Sequence, residues 1–258
     1  VALPVKVVTF DFWNTISREP PGTMAAARQR AIASACETCQ IEVEAELIAT
    51  SLEEVASTYQ QSWSSGRHFH PRQGAEMLAR ALGAEGDARE TVAEAFLTAG
   101  RGASLELSPD IRPCLAALEE GGVRLGIVCD VGFTGGELLR DFLRREELLG
   151  HFSSWAFSDE VGHYKPSPQI FEAALQALGA QPAEALHVGD LRRTDIAGAR
   201  AVGMRTVRYR GLHDDSGAGG GEEAEFVVDS HRELPPLIAQ LASASAPAPP
   251  GPSGERLL

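Results

Sequence analysis

Three short apolar runs in this chain stop on, or one residue before, an aspartate. Residues 5–10 run into Asp11, residues 123–129 into Asp130, and residues 185–188 into Gly189-Asp190. Each run is short and bounded by turn residues, which predicts buried strands. Helical patterns separate the later runs. Ser108-Pro109 reads as an N-cap and first-turn proline of a helix that ends near Glu120, at Gly121-Gly122. Further helices are expected over about 135–145, from Ser167-Pro168 with Ile170, Phe171, Ala174, Leu175 and Leu178 on one face, over 194–202, and over 233–241. Short strands are expected at 155–157, 205–207 and 226–228.

This alternation predicts an α/β fold: a Rossmann-like parallel sheet with helices on both faces. Residues 24–100 interrupt it. Met24, Ala27, Ala31, Ala35 and Cys39 recur at helical spacing, as do Ile48, Leu52, Val55 and Tyr59, then Met77, Leu78, Ala81 and Leu82, then Val92, Ala95, Phe96 and Ala99. Four such stripes without a strand predict an inserted all-helical cap domain. The expected organisation is a core of residues 1–16 and 105–241, a cap of 17–104, a flexible Gly- and acid-rich loop at 213–225, and a disordered tail of 242–258.

Composition narrows the function classes. The 258 residues carry a net charge of −13, which disfavours a nucleic-acid partner. No apolar stretch is long enough to span a bilayer, and no signal-type leader opens the chain. Cys36 and Cys39 form a CxxC inside a helical pattern with no second ligand pair, so they read as small apolar residues of a helix face. A reducing cytoplasmic setting is expected.

In an open α/β sheet, ligands gather at the carboxyl ends of the strands. Asp11, Cys129-Asp130, Gly189-Asp190 and the loop lysine Lys165 are therefore expected at one edge. Two stretches are the most distinctive: residues 158–168, SDEVGHYKPSP, and residues 187–199, HVGDLRRTDIAGA. In order, spacing and strand context they resemble the haloacid dehalogenase-like hydrolase superfamily, in the subgroup with a helical cap inserted after the first motif. The resemblance spans about residues 5–241. It implies a magnesium-dependent phosphohydrolase acting on a small phosphorylated metabolite through an aspartyl-phosphate. It implies Asp11 as nucleophile and metal ligand, the Trp13 carbonyl and Asp190 as further ligands, Asp195 acting on the metal through water, and Lys165 neutralising Asp11 and the phosphoryl group. Magnesium's preference for hard oxygen ligands agrees with that set.

Two positions depart from the family pattern. Trp13 stands where an aspartate usually serves as acid and base, and indole offers only a neutral N–H. Cys129 stands where a serine or threonine usually bonds a phosphoryl oxygen. The substrate has a good leaving group, or another group such as Asp130 substitutes, or the protein binds metal and phosphate with little turnover. A metal-independent 2-haloacid dehalogenase is a further alternative, because those relatives also lack the second aspartate. Substrate-facing residues are expected among Arg18, Glu19, Arg67, His68 and His70.

Overall fold

The computed structural model describes residues 4–217 and 221–244. In chain order it contains β1 (Val7–Phe10), β2 (Ser17–Arg18), α1 (Thr23–Thr38), α2 (Ala45–Ser64), α3 (Pro71–Ala81), α4 (Gly86–Thr98), β3 (Glu106–Leu107), α5 (Ile111–Glu120), β4 (Arg124–Cys129), α6 (Gly136–Arg145), β5 (Phe152–Phe157), α7 (Ser158–Val161), α8 (Pro168–Leu178), β6 (Ala185–Gly189), α9 (Ala197–Ala201), β7 (Arg205–Tyr209), β8 (Phe226–Val228) and α10 (Leu234–Ala244).

All four residues of β1 are buried, as expected of a strand covered on both faces. It pairs in parallel with β4 on one side and β6 on the other, with Phe10 opposite Ile127 and Val188. The six-stranded sheet runs β5-β4-β1-β6-β7-β8, and every pairing is parallel. Alternate residues feed opposite faces. Val8 and Phe10 pack with α5, α6 and α10 through Leu115, Leu139, Phe142 and Leu234, while Val7 joins Ile170, Phe171, Leu175 and Ala199 of α8 and α9. The expected Rossmann-like sheet with helices on both faces is therefore present. The chain moves from β1 outward through β4 and β5, then returns to β6 on the other side. That reversal of strand order opens a crevice at the carboxyl end of β1.

Helices α1–α4 form a separate apolar cluster, with Ile32, Cys36, Ile48, Val55, Leu78, Val92 and Phe96 at its centre. The chain enters and leaves this layer through an antiparallel ribbon, Ser17 opposite Leu107 and Arg18 opposite Glu106. Two-residue strands are too short to leave a periodic signal in sequence. Cys36 is buried in the cluster, and all four cysteines are free.

Several boundaries differ from the sequence expectation. Helix α5 begins at Ile111, not at Ser108-Pro109. Asp110 is in the left-handed region (φ 63°), and the Ser108 hydroxyl pairs with the Tyr209 hydroxyl at 2.6 Å instead of capping. The helix expected over 194–202 splits into a π-turn, Arg192–Ile196, and the short α9. Strand β5 is longer than expected because Phe152 and Ser154 continue the pairing with β4, opposite Leu125 and Gly126, with a bulge between them. Residues 218–220 and the tail from 245 lie outside the described residues, while α10 runs three residues past its expected end, to Ala244. Among the described residues, no helix is long and apolar enough to cross a membrane.

Candidate active site

Strand β1 delivers Asp11 to the crevice, where its backbone N–H donates to Val188 O at 2.8 Å and so ties it to β6. Strand β6 delivers Asp190 and, through the following π-turn, Asp195. Gly189 is required for that turn: a β-carbon there would lie 2.3 Å from Asp195 Cγ. Lys165 comes from the loop after α7. Its ammonium sits 2.6 Å from Asp11 Oδ1 and 2.7 Å from Asp195 Oδ1, with 3% of the side chain exposed. Oxygens of Asp11, Asp190 and Asp195 lie within 4.8 Å of one another. The convergence expected of these four residues is thus what the fold produces.

Asp195 is held by protein donors on both oxygens. Oδ1 faces Lys165 and, at 3.1 Å, His187 Nε2, while Oδ2 accepts from the Leu191 N–H at 3.1 Å. His187 is oriented from its other side by Thr9 Oγ1 at 2.8 Å. Burial pushes the Asp195 pKa up, but Lys165 and His187 outweigh it and hold the carboxyl well below its usual range. Lys165 is correspondingly held charged: burial opposes the ammonium, and Asp11 and Asp195 overcome it. Asp11 and Asp190 lie on the other side of the balance. Burial, followed by carboxylate neighbours, raises Asp11 well above its usual range against the pull of Lys165, and raises Asp190 to about 7.

Three carboxylates here share one ammonium. Asp11 Oδ1 is buried against the Lys165 ammonium. Asp190 Oδ2 meets His213 Nδ1 at 2.8 Å. Hard oxygen donors and an excess of negative charge in one buried cluster fit a divalent cation.

A cavity of about 170 Å³ opens on this cluster. Asp11, Asp190, Lys165, Asp130 and Trp13 line it, together with Asn14, Tyr59, Trp63, Leu191 and Thr194. Asp130 is held on both oxygens: Oδ2 accepts from Trp63 Nε1 at 2.8 Å, and Oδ1 from the Lys165 N–H at 3.0 Å. Burial raises its pKa against the pull of Lys165. The Trp13 ring meets Phe12 edge-on, with centroids 4.9 Å apart.

Other residues expected at the site do not line the cavity. Cys129 is fully buried behind the cavity, next to Asp11 and Lys165; burial, and then the Asp11 charge, drives its thiol pKa well up. Arg18 pairs with Glu106 in the linking ribbon, 2.7 Å away, and Glu19 accepts from the Met24 N–H. Arg67 bonds Ser65 Oγ at 3.2 Å on the surface. His68 packs its ring 5.1 Å from that of Tyr164, and His70 caps α3 by accepting from the Arg72 N–H. None of these lines the cavity. The loop at 213–225, expected to be flexible, brings His213 to Asp190, and Asp215 to the Arg192 N–H at 2.9 Å.

The insertion contributes Tyr59 and Trp63, which sequence reasoning did not place here. The signal was present: Val55, Tyr59 and Trp63 repeat every four residues along α2. Val55 is buried in the helical cluster, and the two aromatics continue its stripe past that cluster onto the crevice.

A family profile described as haloacid dehalogenase-like hydrolase matches residues 5–203. The glyceraldehyde 3-phosphate phosphatase of Methanopyrus kandleri is 32% identical over 245 residues, covering 92% of this chain and 99% of that one. The phosphoserine phosphatase of Thermus thermophilus is 39% identical over 150 residues, 57% of each chain. Among solved structures, a 2-haloacid dehalogenase from Pseudomonas syringae superposes with a TM-score of 0.70 at 22% identity, covering 92% of this chain and 99% of that one, a likeness of fold.

Proposed function

The chain belongs to the haloacid dehalogenase-like hydrolase family, and from that membership we propose that it is a magnesium-dependent phosphatase that hydrolyses small soluble phosphate monoesters in the cytoplasm through a covalent phosphate on Asp11. The observation that carries this reading is the acidic cluster around one ammonium. Lys165 bridges Asp11 and Asp195, and Asp190 completes a set of carboxylates that a carbon–halogen cleavage would not require. The named phosphatases among the relatives support it.

Asp11, Asp190 and the Trp13 carbonyl would hold the magnesium ion, with Asp195 reaching it through water. When bound, the ion supplies positive charge to the phosphoryl oxygens and orients them. The remaining steps belong to the chain. An Asp11 oxygen attacks phosphorus, the ester P–O bond breaks, and the alcohol oxygen departs with the bonding pair. Lys165 offsets the charge that builds on the phosphoryl group. Asp195 keeps Lys165 in place. Water then attacks the phosphorus of the aspartyl-phosphate, releasing phosphate and restoring the Asp11 carboxylate.

Neither step has a carboxylic acid at position 13. Trp13 cannot take up a proton, and each oxygen of Asp130 is already engaged. The leaving oxygen is therefore protonated by water, and turnover depends steeply on the leaving group. Acetyl phosphate is expected to be consumed about 10²-fold faster than alkyl monoesters. Trp13→Asp is expected to raise alkyl-ester turnover by about 10- to 100-fold, measured as phosphate release. An unchanged rate would mean that the missing acid is supplied elsewhere.

The reading as a whole is tested by phosphate release from a panel of monoesters with magnesium and with chelator. Activity is expected with magnesium and loss of it with chelator. Equal activity in chelator refutes the metal assignment.

A further inference from the structure

Within the phosphatase reading above, we propose that the cavity selects monoesters whose organic part is short and uncharged, and rejects those carrying a second anionic group, with Asp130 and Trp63 as the specificity determinants.

Size is the first constraint. The cavity, at about 170 Å³, is below the roughly 300–1,000 Å³ of common small-molecule pockets. Tyr59 and Trp63 from α2 and Trp13 from the core form much of its wall, and aromatic rings yield little. Trp63 is fixed at its edge and on its face. Its Nε1–H donates to Asp130, and the Arg193 guanidinium lies 4.2 Å from the ring centroid. That volume favours a phosphoryl group carrying a short organic part.

Charge is the second. Among the described residues lining the cavity, the one cation is Lys165, and it is already set between Asp11 and Asp195. Arg193 does not line the cavity, and Arg192 is turned to Asp215 and to main-chain carbonyls. A phosphate monoester uses Lys165 and the divalent cation. A second carboxylate or phosphate would find no further cation among the described lining residues and would face Asp130.

The hydrogen-bond partners of Asp130 favour its carboxylate form against the burial. Two N–H groups point at it, one on each oxygen, from Trp63 and from the Lys165 main chain. An asparagine satisfies one of them and turns its own N–H₂ on the other. The acceptor pair therefore fixes a negative charge in the cavity wall. That charge repels anions and leaves a neutral organic part undisturbed.

The test is kcat/KM for the full chain with saturating magnesium, using substrates of matched leaving alcohol: glycerol 3-phosphate and glyceraldehyde 3-phosphate against 3-phosphoglycerate. The neutral pair is expected to be favoured by about tenfold or more, since like-charge contacts act mainly by exclusion. Asp130→Ser is expected to shrink that ratio about fivefold. Trp63→Ala is expected to raise glucose 6-phosphate relative to glycerol 3-phosphate by about tenfold. Equal or better use of 3-phosphoglycerate by the unaltered protein overturns the proposal whatever the variants do. If no ester is turned over, the phosphatase reading fails, and calorimetric titration of the magnesium-loaded protein decides selectivity separately. About tenfold tighter binding of glycerol 3-phosphate than of 3-phosphoglycerate upholds it, and equal binding, or none, overturns it.

Discussion

Asp11→Asn is expected to cut phosphate release by about 10³-fold or more while leaving the protein at least as stable as before. The amide keeps the shape of the carboxylate but cannot attack phosphorus, and removal of a nucleophile is among the most damaging changes an active site can suffer. The stability half follows from the site's electrostatics. Burial and two carboxylate neighbours raise the Asp11 pKa well above its usual range despite Lys165. A carboxyl whose pKa is raised on folding disfavours the folded state at neutral pH, where the unfolded chain holds it ionised and water-exposed. Asparagine removes that cost. Thermal unfolding without magnesium should therefore show a melting temperature equal to or above that of the unaltered protein. A fall of several degrees would mean instead that the Asp11–Lys165 pair stabilises the fold.

Lys165→Met reverses that pattern: both activity and stability are expected to collapse. The ammonium is 3% exposed and bridges Asp11 and Asp195. Its loss strands two buried carboxylates, and breaking a buried pair from one side costs about 3–5 kcal/mol. Asp195, which Lys165 and His187 hold well below the usual carboxylate range, loses the larger of those two partners. Urea unfolding should report the loss as a lower midpoint with an unchanged slope. Millimolar magnesium should recover part of it, because a cation that binds only the folded chain stabilises it by mass action. Full stability in Lys165→Met without magnesium would contradict the charge arrangement proposed for the site.

The contrast between these variants reflects which parts of the centre were legible in sequence. Asp11, Asp130 and Asp190 stand out because each closes an apolar strand, and parallel strands place their carboxyl ends together. Lys165 needed the wider stretch SDEVGHYKPSP, since a loop lysine alone carries no structural address. Tyr59 and Trp63 were hidden for a different reason. Their four-residue spacing is what a buried helix face requires, and only tertiary packing shows that the stripe outruns the helical cluster. Arg18 misled because nearness in sequence to Asp11 did not mean nearness to the cavity. The chain turns at Asn14, whose backbone is left-handed with φ 56°, and carries Arg18 into a ribbon with Glu106. Ser108 looked like a helix cap because serine before proline usually is one, but a buried partner, Tyr209, took its hydroxyl. His213 lay in a glycine-rich stretch with no periodicity, so its contact with Asp190 had no local signature.

The most direct test of the centre is rapid-quench trapping with radiolabelled acetyl phosphate and magnesium, followed by peptide mapping. The site described here predicts one phosphoryl group per chain, bound to Asp11, formed faster than it is hydrolysed because position 13 lacks a base. Steady phosphate release with no label on Asp11, or with label on another residue, would contradict it.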